Sequence, residues 1–146
     1  MIKPKFNKKE LIKKMTEIKK LTKISLVVIG IVTFMFGILL IFLLDIFLTP
    51  LTGWTNPMHP RSFGGICLLS AIFAVILLRK KEWEEIKLLY AFIVSMFIPS
   101  ITIEIYVLVV YGSTFSAAAI SQVFLDQILM FVMLALGVIS YYKQEH

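Results

Sequence analysis

Three carboxylic acids lie in or at the edge of long apolar runs in this chain: Asp45, Glu104 and Asp126. A carboxyl group in such surroundings can hold a cationic or hydrogen-bonding ligand, carry a proton, or lock helices together, and it is expensive to place otherwise. An Asp at the centre of a membrane helix costs about 2.5–3.5 kcal/mol on insertion scales. Arg61 opens another apolar run and is the obvious cation for these acids, and Gln122 precedes Asp126 by one helical turn. Glu104 and Asp126 are therefore expected to face a protein interior and to be paired, protonated or hydrated. Two acids against one guanidinium predict that one of them keeps its proton at neutral pH. Three roles fit this set: a structural network that fixes helix register, a ligand, proton or substrate site, or a contact to a partner subunit.

The residues for other chemistries are missing or isolated. Cys67 is the only cysteine and lies within an apolar run, so a disulfide within the chain is excluded and a packing role is expected. His59 is the only imidazole away from the C-terminal His146, and no spacing of His, Cys or acid resembles a metal-ligand set. Asn56 is followed by Pro57, so no glycosylation sequon exists there. No nucleophile–base pair is present, which leaves Glu104 or Asp126 as the acid–base group if the protein is an enzyme at all. No cofactor can be named from these residues.

The elements that must position the polar set are four apolar runs. Of the 146 residues 59% are hydrophobic and only 16% charged, and the mean hydropathy is +0.90. Ile24–Leu44 is 21 residues without a charge, about 31 Å as a helix and enough to cross a hydrocarbon core of about 30 Å. Ser62–Leu78 gives 17 uncharged residues flanked by Arg61 and Arg79. From Leu88 to Tyr142 only Glu104 and Asp126 are charged, and the 55 residues are divided by Gly112-Ser113-Thr114-Phe115-Ser116. The predicted spans are 24–48, 62–78, 88–111 and 117–142. Continuous apolarity without strict alternation points to helices rather than barrel strands. The fold class is thus an all-α, polytopic membrane four-helix bundle, residues 24–146, preceded by a short basic amphipathic helix within residues 1–23.

Orientation follows from the positive charges. Fourteen of the fifteen Lys and Arg residues fall in the 1–23 arm, the 79–87 loop and the tail; only Arg61 lies in the 49–61 loop, and the 112–116 loop has none. By the positive-inside rule both termini are expected in the cytoplasm. Asp45, Arg61, Glu104 and Asp126 then all fall in the outer half of the membrane. The arm carries nine Lys and two Glu, with Leu11, Met15 and Ile18 on one helical face. It suits anionic lipid headgroups at the bilayer surface, and it lacks the aromatic interleaving that nucleic-acid binding would need. A homo-oligomer or a partner membrane subunit is a further expectation. Pro57, Pro60 and Pro50 stiffen the 49–61 loop, where Trp54 suits the interfacial aromatic belt.

Helix periodicity picks out faces. Gly30, Thr33 and Gly37 in the first run, and Gly64, Cys67, Ala71 and Ala74 in the second, form small-residue ridges for close packing. Ser100, Glu104, Leu108 and Tyr111 share a face of the third run, and Gln122, Asp126, Met130, Met133 and Gly137 share one of the fourth. Pro99 removes a backbone bond to Ser95 and predicts a kink.

The stretch Arg61-Ser62-Phe63-Gly64-Gly65, followed by small and aliphatic residues and then Arg79-Lys80-Lys81-Glu82-Trp83, resembles the DoxX-like group of small four-helix membrane proteins. The resemblance implies the four-span layout and, through a few members of that group, a link to quinone-coupled oxidation. The long Lys-rich arm departs from the pattern, and no Cys pair or pair of haem-ligating His lies within the spans.

The leading functional expectation is a non-enzymatic binding module for a small molecule, lipid or quinone in an outward-facing polar pocket, contacted by Arg61, Glu104 and Asp126. The alternatives are an accessory or scaffold subunit, then a membrane enzyme or small transporter. In a cysteine-labelling scan, positions 112–116 should be closed to reagents applied from the cytosol; labelling from that side would overturn the topology.

Overall fold

The computed structural model describes residues 16–47 and 58–146. Six α-helices follow in order: α1 Lys20–Phe42, α2 Leu44–Phe47, α3 Met58–Leu78, α4 Trp83–Ser95, α5 Phe97–Tyr111 and α6 Ala117–Glu145, with a 3-10 turn Gly112–Thr114 between the last two. By length and composition, four helical segments can cross a membrane: Lys20–Phe42, Met58–Leu78, Trp83–Thr114 and Ala117–Glu145. Their outward faces are as apolar as their inward ones. Ile31, Phe34, Ile72, Val75, Val109 and Ile128 are all exposed, an arrangement that water would penalise and hydrocarbon would not.

The spans start earlier than expected. The first helix begins at Lys20 rather than Ile24, the second at Met58 rather than Ser62, and the third at Trp83 rather than Leu88. The charged residues Glu84, Glu85 and Lys87 therefore form helix turns instead of loop. Lys87 Nζ pairs with Glu84 at 2.6 Å along the helix, and Lys80 Nζ reaches Glu85 at 3.4 Å from the preceding turn, both exposed, so charge near the helix start is supported locally. The first helix also ends earlier, at Phe42, with the short α2 continuing from it. The helix expected within 1–23 falls largely on residues 1–15, outside the described residues. Residues 16–19 are not helical: Glu17 forms an antiparallel bridge with Glu82, and Ile18, expected on a helical face, is buried in the core from this extended segment.

Pro99 acts as its chemistry predicts. The third span breaks between Ser95 and Phe97, four to two residues before the proline, where the ring would meet the carbonyl of residue 95. Ser95 Oγ donates to the Phe92 carbonyl at 2.8 Å and Ser100 Oγ to that of Met96 at 3.1 Å.

The helices associate as two pairs. α1 packs most closely on α3, and α5 packs on α6; α1 and α4 also touch α6. The α1–α3 seam is the small-residue crossing expected from sequence. A methyl group added at Gly37 would lie 3.1 Å from the Gly64 carbonyl oxygen, and one added at Gly64 would lie 2.9 Å from Leu40 Cβ. The main core, around Leu26, Ile29, Trp83, Ile86, Tyr90 and Met133, lies toward the end of the bundle that carries Lys20, Arg79 and Lys143, hereafter the basic end. There Trp83 meets Tyr90 and Tyr141 edge-on, with ring centroids 5.6 and 5.3 Å apart.

Gly137 is the contact that lets α6 approach α4. A Cβ there would lie 2.6 and 2.7 Å from the two methyl carbons of Val94 and 3.2 Å from its Cβ. Those methyls belong to a stiff β-branched side chain. Gly137→Ala should therefore destabilise the bundle by about 1–3 kcal/mol, and adding Val94→Ala should restore most of the loss. Thermal unfolding in detergent, followed by circular dichroism, reads both variants.

Candidate functional site

Each polar residue singled out in the sequence is placed by a different helix pair. Asp45 stands on α2, and the α1–α3 hairpin brings it against the first turns of α3, where Arg61 Nη2 meets its carboxylate at 2.7 Å. Both side chains are about half exposed or more, at 45% for Arg61 and 65% for Asp45. Arg61 does not join Glu104 and Asp126. The physical reason is connectivity: residues 45 and 61 share one hairpin, whereas the other two acids lie on the second helix pair.

The cation's place beside Glu104 is taken by an amide. Gln127 Nε2 donates to Glu104 Oε2 at 2.7 Å and, more weakly, to the Ile101 carbonyl at 3.3 Å. Gln127 is buried, and its Oε1 has no hydrogen-bond partner among the described residues. Gln122 Nε2 donates to Asp126 Oδ1 at 3.1 Å, along one helix turn as its spacing predicts. Asp126 directly precedes Gln127 on α6, the helix whose amide reaches Glu104 on α5. The result is a seam between α5 and α6 in which two carboxyls are each capped by one amide. A neutral amide satisfies a lone pair without contributing charge, so the seam can accept a cation or further hydrogen-bond donors.

Next to this seam lies an apolar cleft of about 50 Å³ between the two helix pairs, lined among others by Phe36, Phe63, Cys67, Phe97, Ser100 and Met130. None of Asp45, Arg61, Glu104, Gln122 and Asp126 lines it. Its hydroxyls are turned back onto their own helices, Thr33 to the Ile29 carbonyl at 2.8 Å and Ser100 to that of Met96. Helical periodicity relates the cleft to the seam: Glu104 follows Ser100 by one turn on α5, and Asp126 precedes Met130 by one turn on α6. Since α5 and α6 run in opposite directions, both acids continue the cleft toward the end remote from the basic one. Cys67 is buried and belongs to the α1–α3 packing face, as expected. His59 is exposed in the first turn of α3. Trp54 lies outside the described residues.

A second polar cluster was not anticipated. At the basic end the Gln144 side chain, 2% exposed, accepts from the Lys19 backbone at 2.7 Å and from Thr22 Oγ1 at 3.0 Å, and donates to the Glu17 carbonyl at 3.0 Å. Lys19 Nζ also bonds the Lys143 carbonyl. Tyr90 donates to the Gly137 carbonyl at 3.2 Å while its hydroxyl pairs with Ser25 Oγ at 2.8 Å. Trp83 Nε1 donates to Glu145 at 2.5 Å. These residues bond one another or backbone, which marks them as a knot between elements. Gln144 lay beyond the last predicted span, and nothing local marks it as buried.

Among the described residues, no three His, Cys, Asp or Glu side chains come together to hold a metal ion. Compared with known protein families, with curated proteins and with solved structures, the chain matches none. The fold and composition define an all-helical protein with four candidate membrane spans.

Gln127 is the residue on which the seam turns. Gln127→Leu removes the donor that Glu104 faces and should cost roughly 1–3 kcal/mol of stability. Gln122→Leu should cost less, since Gln122 and Asp126 are half-exposed partners on one helix. Comparing the two variants' unfolding midpoints in the same detergent tests this order.

Proposed function

We propose that this protein is a non-enzymatic membrane module that binds an amphipathic small molecule of lipid or quinone type between its two helix pairs. One observation carries the reading: the apolar cleft ends one helical turn from two carboxyls that neutral amides cap. The apolar part of a ligand would occupy the cleft, and a cationic or hydrogen-bonding group would meet Glu104, Asp126 and the amides of Gln122 and Gln127. Ligand pockets usually enclose about 300–1,000 Å³. Binding on this reading therefore parts the α1–α3 pair from the α5–α6 pair at the end where they share least packing. The quinone option draws on the DoxX-like resemblance, which supplies it by analogy of fold alone. The distribution of Lys and Arg supports cytoplasmic termini, and that orientation would open the cleft toward the outer side.

A second reading has its own observation. Ile101 is the one buried residue of α5, so most of this helix's surface is apolar and uncovered. That face favours an accessory role, with α5 against a second copy of the chain or a partner's membrane helix.

Native mass spectrometry of the protein in mild detergent, beside the Glu104→Gln variant, tests the first reading. The variant keeps an acceptor for Gln127, so its melting temperature should match the parent's. A discrete bound mass that the variant loses is the expected outcome. Two equally bare spectra would move the function to the accessory reading, and a co-purifying chain would then identify the partner.

A further inference from the structure

The outer surface of the α1–α3 pair carries an apolar groove remote from the cleft. Val27, Gly30 and Ile31 form one wall and Ala71, Val75 and Leu78 the other of an open groove of about 420 Å³. Its floor is where Gly30 meets Ala74: a Cβ at Gly30 would lie 3.1 Å from the Ala74 Cβ, so small residues bring the backbones together and leave a channel above them. From Val27 to Phe34 the groove is about 10 Å long.

The basic end of this groove has a definite chemistry. On α1, Lys20, Lys23, Val27 and Ile31 step by three, four and four residues, so both lysines continue the groove wall. On α3, Ile72 and Val75 step by three, and Arg79, the residue just past the helix end, follows Val75 by four; its backbone N–H donates to the Ile76 carbonyl at 3.2 Å, a turn bond that closes the helix. All three cations are exposed. The ion pairs at this end join Lys80 to Glu85 and Lys87 to Glu84, and leave Lys20, Lys23 and Arg79 with no carboxylate partner among the described residues. An apolar channel that opens between uncompensated cations matches one kind of occupant, a molecule with an acyl chain and an anionic head.

We infer that the α1–α3 groove is a binding site for a single anionic phospholipid, with one acyl chain along Val27, Ile31 and Val75 and its phosphate held by Lys23 and Arg79, assisted by Lys20. The site is separate from the cleft between helix pairs and does not depend on the function proposed there. Its charge complementarity distinguishes it from general solvation by lipid, because a zwitterionic headgroup offers these cations no net charge.

The test titrates the delipidated full chain with phosphatidylglycerol and, separately, with phosphatidylcholine of the same acyl chains, counting bound lipids by native mass spectrometry. The parent should take up one phosphatidylglycerol well before phosphatidylcholine. Lys23→Gln combined with Arg79→Gln should weaken that first adduct on the order of 10-fold and leave phosphatidylcholine uptake unchanged. Val75→Phe, which fills the groove from its lipid-facing side, should weaken both adducts. Lys143→Gln removes a cation at the same end but off the groove and should change neither. These positions are exposed, so each variant's melting temperature should stay close to the parent's. Equal uptake of the two lipids by the parent, or an unchanged first adduct in the double variant, would overturn the proposal. So would equal losses in the double variant and in Lys143→Gln, since they would reduce the effect to overall charge.

Discussion

A polar group withdrawn from water must find its partner within the chain, and in this protein the demand is greatest at Gln144. Its amide is almost wholly covered and makes three hydrogen bonds, to residues 122–127 positions earlier in sequence. In a low-dielectric interior an unmade bond of this kind costs more than a made one contributes. The C-terminal turn of α6 therefore cannot slide along α1 without exposing donors and acceptors on both. With that register held, Lys143 meets Lys19, Glu145 meets Trp83, and Trp83 closes on Tyr90 and Tyr141. The bridge between Glu17 and Glu82 ties the α3–α4 connection to the same knot. Both ends of the described chain and one connection are thereby gathered at the basic end.

Away from that knot the cohesion changes character. The α1–α3 pair is held by a close glycine crossing and the Arg61–Asp45 ion pair, and the α5–α6 pair by Ile101, Ala119, Met130 and the bond from Gln127 to Glu104. The cleft lies where the two pairs face one another. A bundle fastened at one end has its weakest lateral cohesion between the two pairs, along the cleft. That links the energetics of packing to the proposed site: the place where the pairs part at least cost lies one helical turn from the half-buried carboxyls of Glu104 and Asp126.

Much of the architecture was legible in sequence because membrane helices are encoded by composition over lengths of about 20 residues, which no tertiary contact has to adjust. The small-residue ridges were also legible. Gly64, Cys67, Ala71 and Ala74 are buried on α3, and Met130, Met133 and Gly137 on α6, since helical periodicity alone puts them on one face. Helix starts were less legible, because the rule that charge ends a span does not hold where Glu84 and Lys87 pair with each other on the helix surface. In the candidate site, Glu104, Asp126 and Gln122 could be found as costly groups in apolar runs, and the Gln122–Asp126 bond follows from their spacing. Gln127 was passed over. From Met130, a step back of three or of four residues is equally helical, reaching Gln127 or Asp126, and periodicity has no means to choose between them.

The sequence by itself determined four apolar helices, a break near Pro99, a basic end, and the presence of acids where acids are costly. Each of these depends on local composition or on spacing along one helix. Only the tertiary structure decided which acid Arg61 meets, that an amide stands beside Glu104, and that Gln144 joins the two ends of the described chain. Those outcomes depend on which helices are neighbours and at what register. That is a matter of geometry between segments far apart in sequence, and counting charges does not contain it.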